Sequence, residues 1–403
     1  MRLLFIADGR SPIALNWINH FIDRGDEVHL VSTFASKADA RLASFAFIPV
    51  AFSSLKSAGT AAAARRGGRS ILRAGEASVR LRTLVRQWLG PITLTTAASQ
   101  LTSVIAGISP DLVHAMRIPY EGMLAALALR ATSRGEADER NDNIPLLISV
   151  WGNDFTLHAS ATPLMRHYTR LALQCADALH ADCQRDVRLA RQWGFSPSKP
   201  AVVLPGAGGV QSELFYPPPV PVAEPVVINP RGFRAYVNNA AFFHAIPQVL
   251  ADRPEARFLC PTMEREPQAK RWVDELGLGD HVELLPVQTR PQMAGLFRRS
   301  RVAVSPSSHD GTPNTLLEAM ACGCLPVAGD LESLREWITP GLNGLLVDPN
   351  DPGAIATAIQ HALAQDDLVE QARLINADLI AERAEHRAVM QRASAFYQVL
   401  LEG

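Results

Sequence analysis

The sequence predicts an α/β protein built from two doubly wound parallel sheets. Three observations carry this. Short apolar runs alternate with helical patterns from residue 3 onward. The runs are apolar along their whole length, not at every second position, which marks strands covered on both faces. A stretch with five prolines, YPPPVPVAEPV (216–226), interrupts the series, and the alternation then restarts.

Each element follows in order. LLFIAD (3–8) reads as a buried strand. Residues 12–24 place Ile13, Trp17, Ile18, Phe21 and Ile22 on one helical face. EVHLVST (27–33), DLVHAM (111–116), LLISVWG (146–152), ALHADC (178–183) and AVVLPG (201–206) continue the first series. Proline lacks the N–H that a sheet requires and stiffens extended chain, so 216–226 reads as a linker. Domains at 1–216 and 217–384 follow. VVINPR (226–231), ARFLCP (256–261), VELLPV (282–287), RVAVSPS (301–307) and LPVAGD (325–330) supply the second series. The closing helix, about 385–403, is expected to cross back onto the first domain. Sheets of this kind bind ligands beyond the carboxyl ends of their strands, so two facing halves would enclose a cleft.

Composition narrows the partners. The 403 residues are 47% hydrophobic and 20% charged, with a net charge of -1. That fits a soluble chain with no global attraction to nucleic acid. Five scattered cysteines fit reduced thiols in a cytoplasm. Cys322 and Cys324 form a C-x-C pair without further ligands nearby, which reads as buried packing. MRLLFIADGRSP is too short an apolar run for a signal peptide, and no run of about 18 apolar residues exists to span a membrane.

The stretch SHDGTPNTLLEAMACG (308–323) poses the chemical question. A polar loop with Asp310 and Gly311 leads through Thr312 and Pro313 into an apolar helix that carries Glu318. Thr312 is expected to cap that helix and Pro313 to take its first position. Free amides of the first turn favour an anion such as a pyrophosphate. A carboxylate in the packed run around Glu318 must find partners, and ligand hydroxyls would serve.

This stretch resembles the signature of glycosyltransferase family 4, retaining enzymes of the GT-B fold, whose phrase reads EGTPNxLLEAMACGxPVV with a Glu-x7-Glu spacing. The likeness continues through LPVAGDLESLREWITPGLNGLLVDPNDPGAIATAI (325–359), RGDEVHLVS (24–32) and PGAGGVQSELFYP (205–217). The resemblance implies two Rossmann-like domains, the first for the acceptor and the second for a UDP or GDP sugar. It implies that Glu318 holds the ribose hydroxyls. Asp310 would contact the donor sugar, and Gly311, Thr312, Pro313, Asn314 and Thr315 would contact sugar and diphosphate. Asp310 stands where the family has Glu, so its carboxylate reaches about one bond less far.

The family's Arg and following Lys neutralise the leaving diphosphate. Here Arg231 matches the Arg, but Tyr236 stands in the Lys position, and Arg234 is expected to share the task. In the first domain His114 matches a family His that is either catalytic or a core residue. Arg117 and Glu121 fall at a strand's carboxyl end, where site residues belong. Trp151 and Asp154 resemble a sugar-contacting turn, or pack and cap. Gly9 would approach the donor phosphate, and Arg10 would add charge. No metal and no other cofactor is implied.

Two further readings stand open. Residues 65–86 carry seven arginines and one acid, with Leu81, Leu84, Val85 and Trp88 at helical spacing. They form either a solvated helix face or a peripheral membrane contact suited to a lipid-linked glycan acceptor. The activity is read as sugar transfer in bacterial glycan, polysaccharide or glycolipid synthesis. A GT-B sugar phosphorylase, a nucleotide-sugar epimerase and a non-catalytic nucleotide-sugar binder are the alternatives.

Overall fold

The computed structural model describes residues 1–51, 53, 76–132, 144–234 and 236–402. Seven strands form the first sheet: β1 Arg2–Ala7, β2 Glu27–Ser32, β3 Ser44–Phe47, β4 Leu112–Ala115, β5 Leu146–Val150, β6 Ala178–Ala181 and β7 Ala201–Val203. All pair in parallel, in the order β3-β2-β1-β4-β5-β6-β7. Six more form the second: β8 Val226–Ile228, β9 Arg257–Cys260, β10 Val282–Leu284, β11 Val302–Ser305, β12 Leu325–Gly329 and β13 Leu345–Val347. These are also parallel, in the order β10-β9-β8-β11-β12-β13.

Both sheets therefore reverse direction at one point, between β1 and β4 and between β8 and β11. The loops leaving those strands are where such folds bind ligands. β1, β4, β5 and β6 are almost wholly buried, as expected of strands covered on both faces. β3 and β13 were not predicted. They are edge strands of four and three residues with half-buried or exposed side chains, so they offer only a short run to read.

The chain divides into two compact units. The first includes residues 81–208 and Met390–Gly403 with the N-terminal strands, and the second includes Gly209–Val389. The helix His386–Glu402 thus ends in the first unit. There Tyr397 closes a chain of buried polar groups. Trp17 Nε1 donates to the Tyr397 hydroxyl at 3.0 Å, and that hydroxyl meets His114 Nδ1 at 2.5 Å. His114 Nε2 lies 2.7 Å from Ser149 Oγ, which lies 2.8 Å from His180 Nδ1. His180 Nε2 lies 2.9 Å from the Leu204 carbonyl, which can only accept. Every proton is thereby assigned, because a neutral imidazole has one donor and one acceptor. His180 donates to Leu204, Ser149 donates to His180, His114 donates to Ser149, and Tyr397 donates to His114.

Burial holds both imidazoles neutral, pushing His114 well below its ordinary value and His180 down to about 4. A group whose folded pKa is depressed takes up protons on unfolding. Stability is therefore full above about pH 6.5 and falls as pH drops towards 4. Tyr397→Phe removes the acceptor of Trp17 and the donor of His114 at once. It is expected to cost about 2–4 kcal/mol, read as a lowered denaturation midpoint and a weaker acid dependence.

The arginine-rich stretch 65–86 lies outside the described residues as far as 75. From there it belongs to the helix Glu76–Leu89. Leu84, Val85, Trp88 and Leu89 on this helix, and Ile92 just beyond, are exposed. Arg86 turns inward instead. No helix among the described residues is long and apolar enough to cross a membrane.

Candidate functional site

In the second unit the loops after β8 and β11 meet at the reversal point. A buried asparagine pair shapes the first loop. Asn229 Nδ2 donates to Asn239 Oδ1, and Asn239 Nδ2 donates to the Gly232 carbonyl. The Arg231 amide donates to Asn229 Oδ1 at 3.2 Å. Gly232 has φ of +60, and a Cβ there would stand 2.5 Å from Thr262 Oγ1, so no other residue fits this turn.

The turn aims Arg231 at the loop after β11. Its Nη2 lies 2.5 Å from Asp310 Oδ2, and its Nη1 donates to Thr315 Oγ1 at 3.1 Å. Both charged side chains are nearly buried, at 8% and 13% exposure. Arg231 Nε is buried with no hydrogen-bond partner among the described residues. Arg231, Asp310 and Thr315 are thus brought together from positions 84 residues apart in the chain.

The helix Asn314–Ala321 starts later than expected, with Pro313 as its cap residue. Thr312 does not cap it. The Thr312 hydroxyl accepts from Trp337 Nε1 at 3.0 Å instead. Gly311, Thr312 and Pro313 are buried in the turn. The first amides of a helix, here those of Asn314 and Thr315, have no intrahelical acceptor, and they bear the positive end of its dipole.

Glu318 is the fifth residue of this helix, between fully packed Leu317 and Ala319. Burial lifts its carboxyl to about 7, with Arg290 opposing the rise. Arg290 Nη2 lies 3.4 Å from Glu318 Oε1. Arg290 was not anticipated. It opens the helix Arg290–Arg298, which is held by a reciprocal cap between Thr289 and Gln292. That T-x-x-Q spacing is a legible helix start, but nothing in sequence pairs its arginine with a carboxylate 28 positions on.

Arg234 lies on the same loop as Arg231. It is exposed, and its Nε reaches the Arg231 carbonyl at 3.4 Å, so it steadies the loop and does not join Asp310. Tyr236, in the place of the family's Lys, offers its carbonyl to the amide and hydroxyl of Ser308.

In the first unit two expected site residues are engaged within the fold. His114 is 1% exposed, with both ring nitrogens engaged in the core chain. It has no free nitrogen with which to meet a substrate. The Gly9 amide donates to Ser32 Oγ, and a Cβ at Gly9 would stand 2.3 Å from Ser36 Oγ. Close packing of two loops requires this glycine, and its amide is already used.

Asp154 is buried and accepts from Arg117 Nε at 3.0 Å, from the Trp151 amide and from the Ile118 amide. It ties the loops after β4 and β5 together. Glu121 is buried and accepts from Thr33 Oγ1 at 2.6 Å, and burial lifts its carboxyl to about 7. Asp182, Cys183 and Asp186 bring three potential metal ligands together, all buried. The Arg185 guanidinium pairs with Asp186 there at 2.7 Å and opposes a cation.

Comparison with known proteins agrees with this geometry. Residues 226–365 match the family described as glycosyl transferases group 1, and residues 9–206 match the glycosyl transferase 4-like domain. A D-inositol 3-phosphate glycosyltransferase of Mycolicibacterium smegmatis is 34% identical over 96 residues. That match spans 24% of this chain and 22% of the relative, so about a fifth of that protein's length is compared. The fold is shared over whole chains. The sucrose-phosphate synthase of Thermosynechococcus elongatus superposes with a TM-score of 0.71 at 16% identity, covering 100% of both chains. HepE of Anabaena, solved in complex with UDP-glucose, gives 0.69 at 14% identity, covering 98% of this chain and 99% of its own. With its two parallel sheets and both halves matched, the chain belongs to the group 1 glycosyltransferases of family 4 and has the GT-B fold.

Proposed function

We propose that the chain moves a sugar from a UDP or GDP sugar to an acceptor hydroxyl, with retention at the anomeric carbon, in the synthesis of a bacterial glycan. The observation that carries this is the meeting of Arg231, Asp310 and Thr315 beside the start of the Glu318 helix. HepE, with the same fold, was solved with UDP-glucose, which supports a nucleotide-sugar donor here.

Each residue then has a task. Glu318 accepts the ribose hydroxyls. The diphosphate lies against the Asn314 and Thr315 amides and the Arg231 guanidinium. As the bond to the sugar breaks, negative charge collects on the leaving phosphate, and these fixed donors stabilise it without reorganising. Asp310 orients Arg231 through the ion pair and offers its carboxylate to the donor sugar. No side chain of this unit is cast as nucleophile.

A panel of nucleotide sugars, scored by thermal stabilisation and by product, tests this reading. The expected result is stabilisation by one base class and transfer to an added acceptor. Binding without turnover would favour a nucleotide-sugar binder. Turnover without transfer would favour an epimerase. Stabilisation by no nucleotide would remove the donor assignment.

A further inference from the structure

At the reversal point of the first sheet, between β1 and β4, three arginines converge. Arg10 leaves β1 and stacks its guanidinium 3.7 Å from the centroid of the Phe34 ring. Arg86 approaches the same ring at 5.2 Å and the Tyr120 ring at 5.1 Å. Arg117 follows β4, and the charges of Arg86 and Arg117 both act on the Tyr120 hydroxyl and on the Glu121 carboxyl. Arg86 thus links the two others, sharing the Phe34 ring with Arg10 and the Tyr120–Glu121 turn with Arg117.

The compensating charges are unevenly shared. Asp8 pairs with Arg10 at 2.8 Å, and Asp154 pairs with Arg117 at 3.0 Å. Arg86 forms no ion pair among the described residues. Its Nε is buried without a hydrogen-bond partner, and its nearest neighbours are two aromatic faces. The Arg86 carbonyl accepts from the Tyr120 hydroxyl at 2.6 Å, which fixes this turn of the helix. Tyr120 itself holds φ 74 and ψ -55. A Cβ on Gly90 would stand 2.8 Å from its ring, so Gly90 is the residue that lets the ring lie there. Arg86 is half-buried, and a guanidinium that loses part of its water without gaining a carboxylate favours an anion. Its planar fork suits the oxygens of a phosphate.

We infer that Arg86, with Arg10 and Arg117, forms a binding site for a phosphate ester, and that the sugar acceptor of this enzyme carries that phosphate. This deepens the proposed transfer and rests on it for the word acceptor; the anion site itself stands on the first unit alone. Phe34 and Tyr120 wall the site. The exposed apolar row Leu84, Val85, Trp88, Leu89 and Ile92 rides on and just past the same helix. A phosphate borne by a lipid and one borne by a soluble sugar share the chemistry.

The test measures thermal stabilisation by inorganic phosphate, at ionic strength matched with chloride, in the wild type, Arg86→Gln, Arg10→Gln and Arg231→Gln. Arg231→Gln is expected to lose only the share of the response that belongs to the donor site, and to keep the share that depends on Arg86. Arg86→Gln is expected to need about ten- to hundred-fold more phosphate. Arg10→Gln, at an exposed pair, is expected to show a smaller loss and serves if the Arg86 variant does not fold. A response kept in both Arg86→Gln and Arg10→Gln, or lost only in Arg231→Gln, would overturn the site. Nucleotide binding is measured on the same proteins. If no nucleotide binds while the phosphate response depends on Arg86, the donor reading fails and the anion site stands. Vesicles of phosphatidic acid against phosphatidylcholine, beside glucose 6-phosphate, identify the source. Capture by phosphatidic acid vesicles alone points to a lipid, and stabilisation by the sugar phosphate points to a soluble acceptor.

Discussion

Glu318→Ala is expected to weaken nucleotide binding by about two orders of magnitude or more, since each hydrogen bond to a charged group contributes about 1.5–3 kcal/mol and a ribose diol presents two. Titration calorimetry with UDP and GDP reads this directly. Turnover and affinity equal to the wild type would detach the ribose from Glu318. The same residue sets a pH dependence. Burial lifts its carboxyl to about 7, and the ionised form is the better acceptor. Affinity should therefore be full above pH 7 and fall by about tenfold per unit below it. Glu318→Gln should flatten that profile. Arg290→Gln removes the cation that favours ionisation, so its profile should move to higher pH.

Arg231→Gln is expected to lower kcat by about a hundred- to a thousand-fold, the usual cost of removing one preorganised donor from a developing charge. It also removes the arginine partner of Asp310, whose side chain is 13% exposed. Breaking such a pair from one side costs about 3–5 kcal/mol of stability. Asp310→Asn should lower turnover more than nucleotide affinity. Combining both changes should restore much of the stability and none of the turnover. If the double variant is as unstable as Arg231→Gln alone, the ion pair is not the source of the cost.

How far these residues could be read from sequence depends on what fixes each one. The buried strands declared themselves because both faces are covered, while β3 and β13, at the edges, did not. Asp310, Glu318 and Arg231 lie in a stretch and a turn whose spacing matches a family phrase. Arg290 has no such phrase. Its pairing with Glu318 is tertiary, made by the packing of two helices. Thr312 carried a valid capping signal, but Trp337 competed for its hydroxyl and won. His114 matched a family position, yet Tyr397, 283 residues away, and Ser149 occupy its nitrogens. At Gly9 the sequence could not show that Ser32 takes the amide and Ser36 fills the space a side chain would need.

The return of the last helix to the first unit constrains the order of assembly. Strands β1 to β7 emerge from the ribosome long before Tyr397, and until it arrives Trp17 Nε1 and His114 Nδ1 lack the partner they share. The second unit, most of whose residues run from Gly209 to Val389, can close while the first is still waiting. A nascent chain paused before residue 390 would therefore hold a finished second unit and an unfinished first one. A protease should distinguish the two by cutting first within residues 1–208.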